Sequence, residues 1–191
     1  MKKIILASAS PRRKQLLEQI GVKFEICPSN IEEILDPRLS PRKQVEVLSV
    51  QKAKKVAQEY SDAIILSADT MVSFDGEVFG KPKDAEDATV MLNKLSGKVH
   101  SVVTGFTLLD TKTLKTVTGS TETKLWFRKI SKEEIKNFII REKPYDKAGA
   151  YAVHELASIF VEKIEGDFFG AVGLSVFLVA KELKKFGIKV L

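Results

Sequence analysis

The 191-residue sequence is poor in residues that cross-link a chain. It holds one cysteine, Cys27, and two histidines, His100 and His154. One thiol excludes an intrachain disulfide, and it cannot form a Cys/His metal cluster with only two histidines to help. It also fits a reducing compartment, so a cytoplasmic location is expected. Long apolar runs are lacking: the stretch from Ala171 to Ala180 falls far short of the ~20 residues of a membrane span, and no membrane partner is expected. Familiar catalytic signatures are missing too. There is no Gly-x-Ser-x-Gly, and His154-Glu155 lacks the second histidine of a zincin. No Gly-x-Gly-x-x-Gly is present to cradle a dinucleotide. Gly76-Glu77-Val78-Phe79-Gly80-Lys81-Pro82 imitates a P-loop, but its spacer is one residue short. Pro82 also stands where Ser or Thr would hold Mg²⁺.

What is present reads as an ordinary globular protein, 44% hydrophobic and 29% charged, long enough for one core with a smaller lobe. The net charge of +6 fits a Lys-biased surface or a cleft for a polyanion, and charge alone does not choose between them. Met1-Lys2-Lys3 followed by Ile4 to Ala9 imitates a signal peptide. Its apolar part is shorter than the ~7–15 residues required, and Pro11-Arg12-Arg13-Lys14 follows at once, so it reads as a first buried strand.

The pattern along the chain is α/β, with a mixed, strongly curved sheet flanked by helices. Strands are expected at Lys3–Ala7, Val22–Cys27 and Ala63–Ser67, the last with Asp69 just past its end. Ser10-Pro11 and Ser40-Pro41 open helices, the first ending at Gly21 and the second near Tyr60. A hairpin turns at Asp75-Gly76. Asp84 caps a helix through Leu95, and two long Val/Thr-rich strands cover Lys98–Leu109 and Leu114–Phe127. Ser131-Lys132-Glu133-Glu134 is a capping box. Ala157–Ile164 and Phe168–Ala171 read as strands, and Val176–Phe186 as a closing amphipathic helix.

Four stretches carry candidate chemistry. Ser8-Ala9-Ser10-Pro11-Arg12-Arg13 lies where a strand enters a helix N-terminus, a setting that favours anions. Taken alone it equally describes a capped helix with surface arginines. Ser67-Ala68-Asp69-Thr70 puts a carboxylate near the end of a buried strand, where α/β proteins bind ligands, although Asp is also common in turns. Lys81 is a candidate phosphate ligand. In Asp146-Lys147-Ala148-Gly149-Ala150-Tyr151, small residues permit close approach and Tyr151 offers a ring and a hydroxyl.

These stretches resemble, in the same order, the three motifs of the Maf family of nucleotide pyrophosphatases: Leu6–Arg13, Ser67–Thr70 with Gly80-Lys81-Pro82, and Lys147–Tyr151. The resemblance runs from the first strand to the last helix. It implies one elongated domain over residues 1–191, similar to the inosine triphosphate pyrophosphatase fold, with two lobes around a cleft. It implies metal-dependent hydrolysis of a nucleoside triphosphate to the monophosphate and pyrophosphate, with Mg²⁺ or Mn²⁺. Asp69 matches the proposed proton acceptor. Ser8, Arg12, Arg13, Glu33, Lys52 and Lys81 match other site positions, with Asp69 and Glu33 as metal ligands. By themselves Glu33 and Lys52 read as a solvated loop acid and a helix-surface lysine.

Within the family, Arg12, Thr70 and the Lys147–Tyr151 stretch resemble the subgroup acting on dTTP and UTP rather than the one acting on 7-methyl-GTP. His154 departs, standing three residues after Tyr151 where that subgroup typically has glutamine. Arg12, Arg13, Lys52 and Lys81 would neutralise phosphate charge, while Asp69 and Glu33 would serve metal and water. The alternative class is a non-catalytic nucleotide- or nucleic-acid-binding regulator. A reader motif or a run interleaving arginine with aromatics would mark it, and neither occurs, so no stable nucleic-acid complex is expected. The sequence leaves the oligomeric state open, a homodimer included.

Overall fold

The computed structural model describes residues 2–191. Its seven strands are β1 (Lys3–Leu6), β2 (Glu25–Ile26), β3 (Ala63–Phe74), β4 (Glu77–Phe79), β5 (Val99–Asp110), β6 (Thr116–Phe127) and β7 (Val161–Glu165). They form one mixed sheet in the order β2-β1-β3-β5-β6-β7, with β4 paired to β3. The helices are α1 (Pro11–Gln19), α2 (Pro41–Ala57), α3 (Ala85–Leu95), α4 (Lys132–Glu142), α5 (Phe168–Val172) and α6 (Val176–Leu183). The mixed α/β sheet agrees with the class expected from sequence.

Two compact units divide the chain. The first comprises residues up to Asp69, Thr104–Thr121 and Gly173–Leu191; the second comprises Thr70–Val103 and Glu122–Val172. In the first unit, β1 lies parallel to both β2 and β3, with Leu6 opposite Leu66. Its core gathers Ile5, Ala7, Ala53, Val56, Ala63, Ile65 and Leu109. Side chains alternate across a strand, so Ala63, Ile65, Ser67 and Asp69 share one face of β3. Along that face the contact with α2 changes from apolar to polar. Ala53 and Val56 meet Ala63 and Ile65, whereas Ser67 donates to the Ser49 carbonyl at 2.6 Å. Helix and strand approach closely: a Cβ built on Gly105 of β5 would lie 2.7 Å from the backbone carbonyl of Val45.

In the second unit, the hairpin turns at Asp75-Gly76 and pairs Val72 with Phe79. Both turn residues have positive φ, 51° and 79°, the geometry that Asp-Gly sequences favour. The α4 capping box is formed in both directions, and Asp84 caps α3. Phe79, Leu92, Leu95, Phe127, Phe138 and Phe160 belong to its core.

Four segments differ from the sequence expectation. β3 does not stop at Ser67, so Asp69 and Thr70 lie inside a strand. The stretch Val22–Cys27 yields only the two residues of β2, because the Val22 N–H is used to close α1 on the Leu17 carbonyl. Leu156–Phe160 is a 3-10 segment and Phe168–Val172 a helix. There the Asp167 carboxylate accepts the Gly170 N–H at 3.0 Å, a helix-starting bond in place of a strand ladder.

Candidate active site

The first unit brings together five of the residues singled out in the sequence. Asp69, 4% exposed, projects from β3 toward α2, and Lys52, 7% exposed, reaches it from α2. Lys52 Nζ donates to Asp69 Oδ1 at 2.5 Å and pairs with Glu33 Oε1 at 2.7 Å. Asp69 Oδ2 is buried without a hydrogen-bond partner in the protein. Burial pushes the Asp69 carboxyl above its ordinary value, and Lys52 and Arg13 only partly offset this. Glu33, the second carboxylate on Lys52, is about half exposed.

Ser8, in the turn between β1 and α1, and Arg13, in the first turn of α1, join this group. The Ser8 hydroxyl accepts the Ser10 N–H at 3.2 Å and Arg13 Nη1 at 3.0 Å. Arg13 Nε donates to the Gly173 carbonyl at 3.0 Å. Burial lowers Arg13 from its ordinary value, opposed by the Asp69 charge, and so high a starting value keeps it a cation. Arg12, half-buried, occupies the first turn of α1, whose N-terminal end carries partial positive charge.

The other predicted residues belong to the second unit. Thr70 follows Asp69 in β3 and, by alternation, points to the opposite face. Lys81 is exposed just after β4. The turn Lys147–Tyr151 is tied beside it, for the Gly149 N–H donates to the Gly80 carbonyl at 3.0 Å. Gly149 has φ of 66°, and a Cβ there would sit 2.8 Å from Val72 Cγ2. Its small size therefore serves packing on β3. Tyr151 is 5% exposed, and its hydroxyl meets His100 Nε2 at 2.7 Å while its ring lies edge-on to Phe127. This places the ring in the core. His154 is exposed, with Nε2 3.7 Å from Glu155 Oε1, and Glu155 also pairs with Lys147 at 3.4 Å. Lys147, Glu155 and His100 went unnoticed as individual candidates; an ion pair between residues eight positions apart leaves no mark in local sequence.

No cluster of three or more His, Cys, Asp or Glu side chains suited to a metal exists among the described residues. A closed protein cage is thus absent there. Mg²⁺, however, commonly takes one or two carboxylates and completes its shell with water and substrate phosphate. Asp69 and Glu33, with the unpartnered Oδ2, fit that looser arrangement.

A buried carboxylate on a central strand, a lysine bridging it to a second carboxylate, and arginines at a helix N-terminus define an anion-handling site on an α/β sheet. The chain belongs to the Maf family, whose family model, described as Maf-like protein, matches residues 3–186. It is 46% identical over 185 residues to a protein of Alkaliphilus oremlandii named dTTP/UTP pyrophosphatase, covering 96% of each chain. A Methanosarcina mazei protein of the same name is 46% identical over 191 residues, covering 100% of this chain and 97% of the relative. One from Bacillus cytotoxicus is 45% identical over 186 residues, covering 97% and 96%. Among solved structures, the Ham1 protein of Staphylococcus aureus aligns with a TM-score of 0.46 and 12% identity, over 66% of this chain and 72% of that one. That likeness is too loose to carry an argument. No helix among the described residues is long and apolar enough to cross a membrane.

Proposed function

We propose that this chain hydrolyses nucleoside triphosphates, dTTP and UTP foremost, to the nucleoside monophosphate and pyrophosphate, with Mg²⁺ or Mn²⁺. The observation that carries the reading is the carboxylate pair on Lys52, with Asp69 buried and its Oδ2 unpartnered. A buried, incompletely satisfied charge costs stability, and such groups cluster where charge is used. The names of the relatives at 45–46% identity support the substrate class and the bond that is cut.

Asp69 and Glu33 would hold the metal, which when bound supplies charge neutralisation on the phosphates and a more acidic water. We assign the proton acceptor to Asp69. Burial raises its affinity for a proton, and a base works best with a value lifted toward the working pH. Water attacks the α-phosphorus, its proton passes to Asp69, and pyrophosphate leaves. Lys52 keeps the two carboxylates charged and close together. Ser8 and the Gly173 carbonyl fix Arg13, whose charge offsets that of Asp69. For Arg12, Thr70 and Lys81, the support is the motif match; His154 stands where the dTTP/UTP subgroup typically has glutamine. Substrate and reducing conditions both point to the cytoplasm.

The test is a panel of nucleotides incubated with and without Mg²⁺, with products separated by chromatography. Pyrophosphate and monophosphate from dTTP and UTP, only with metal, are expected. A diphosphate as first product would overturn the bond assignment. Tight nucleotide binding without turnover would favour the binding regulator.

A further inference from the structure

We infer that Gln44 is a positioning residue that sets where Glu33 can reach. The inference rests on the role proposed above for Glu33. Gln44 is buried near the start of α2, and its amide grips one residue of the preceding loop from both sides. Its Oε1 accepts the Asp36 N–H at 3.2 Å, and its Nε2 donates to the Asp36 carbonyl at 3.4 Å. That carbonyl also accepts the Leu39 N–H, and the Asp36 carboxylate is held by Arg38, so a closed turn hangs from Gln44.

Three residues upstream, Glu33 meets Lys52. Gln44, Leu48 and Lys52 follow at spacings of four, so they lie along one stripe of α2. Gln44 and Lys52 are about 12 Å apart along the helix axis, at about 1.5 Å per residue. The three residues from Glu33 to Asp36 span at most about 11 Å when extended. A segment this short, held at Asp36 by Gln44 and at Glu33 by Lys52, runs beside the helix toward its N-terminal end. Apolar burial does not fix it: residues 32–35 are all exposed, Ile34 by 73%. A loop without apolar anchorage takes its position from its polar attachments. Gln44 provides the one at Asp36, and so decides whether the Glu33 carboxylate arrives at Lys52 and Asp69.

The experiment pairs Gln44→Met, close in volume but without donor or acceptor, with Glu33→Gln in a double-mutant cycle. Gln44→Glu, which keeps the acceptor and loses the donor, is the second variant should Gln44→Met fold poorly. Amide exchange of the nucleotide-free proteins is the second readout. Gln44→Met is expected to speed exchange within residues 30–39 while leaving β3 unchanged. It should lower kcat/KM for UTP about tenfold, the scale of a modest misplacement. In the Glu33→Gln background the same change should cost less than about twofold. Gln44→Glu should fall between wild type and Gln44→Met on both readouts. An undiminished cost in the Glu33→Gln background, or unchanged exchange in residues 30–39, would overturn the inference. So would a Glu33→Gln protein as active as wild type. Absence of any pyrophosphatase activity in wild type would instead defeat the proposed function, and the exchange readout would still judge the link between Gln44 and the loop.

Discussion

Lys52 Nζ lies 2.5 Å from Asp69 Oδ1 and 2.7 Å from Glu33 Oε1, so one buried ammonium serves a buried carboxylate and a half-exposed one. Removing either member of the buried pair has different consequences. Asp69→Asn leaves Lys52 with Glu33 and keeps the shape of the site, so the fold should survive while turnover falls by at least about 10³-fold. Lys52→Met strands two carboxylates, one of them inside the protein, and should cost about 3 kcal/mol. Urea unfolding and pyrophosphate release measure the two effects. Near-normal turnover in folded Asp69→Asn would remove Asp69 from the chemistry.

The raised Asp69 value makes the stability of the metal-free protein depend on pH. Between the ordinary value of 3.8 and the higher folded one, the native state holds a proton that the unfolded chain has lost. This contribution to stability is fully present below 3.8 and is lost as pH rises through the folded value. Urea midpoints of the metal-free protein and of Asp69→Asn, compared as pH rises from 3.8, measure this contribution, and parallel curves would show that Asp69 is not the titrating group.

His100 supplies a second pH effect, of opposite sign. Burial holds its imidazole down at about 4, so the native state resists the proton that the unfolded chain accepts near 6.5. The stability it contributes is present above 6.5 and lost as pH falls toward about 4, on the order of 3 kcal/mol in all. His100→Gln, which can still bond the Tyr151 hydroxyl, should flatten that slope. Denaturant midpoints from pH 7 to pH 4 give the comparison; parallel curves for the two proteins would show that His100 is not the group responsible.

Gly105 is the point where β5 presses on α2. A methyl group there would lie 2.7 Å from the Val45 carbonyl carbon and oxygen, and backbone cannot swing aside as a side chain can. Gly105→Ala should cost about 1–3 kcal/mol and displace the helix that carries Lys52. Thermal unfolding and kcat should fall together. A full-strength, fully stable variant would mean that the helix yields freely.

The proposed base preference places His154 at the base. A glutamine amide offers a donor and an acceptor on a flexible arm, whereas neutral imidazole fixes the angle between its two. His154→Gln should therefore raise discrimination for UTP over CTP by about tenfold, the scale of one hydrogen bond. The ratio of kcat/KM values at pH 8 decides this. An unchanged ratio would separate His154 from base reading.

Much of this was legible in local sequence, because caps and turns are local. Asp84, Ser131 and Asp75-Gly76 behave as their chemistry demands. The position of Asp69 was misjudged in one respect. A polar run after Leu66 looks like a strand end, yet β3 continues, since Ser67 and Asp69 find polar partners on α2. The parallel pairing of β1 with β3 stops at Leu66, so Asp69 lies just beyond the carboxyl end of that ladder. Glu33 and Lys52 were legible only through the family resemblance, for their meeting depends on a loop folding back along a helix. Tyr151 looked like a ligand contact, and nothing local announces that His100, 51 residues away, takes its hydroxyl.

The hydrogen bond from Arg13 to the Gly173 carbonyl joins residues 160 positions apart, and it fixes a timetable. A ribosome adds about 5–20 residues per second, so Arg13 waits on the order of 10 s or longer before its acceptor is made. The second unit ends at Val172, whereas the first still needs Gly173–Leu191. During synthesis the second unit can therefore finish before the first. A nascent chain halted between Asp69 and Gly173 holds Arg13, Lys52 and Asp69 but lacks the acceptor that braces Arg13. The arrival of Gly173, rather than the emergence of the motifs themselves, is then the moment at which Arg13 can be braced.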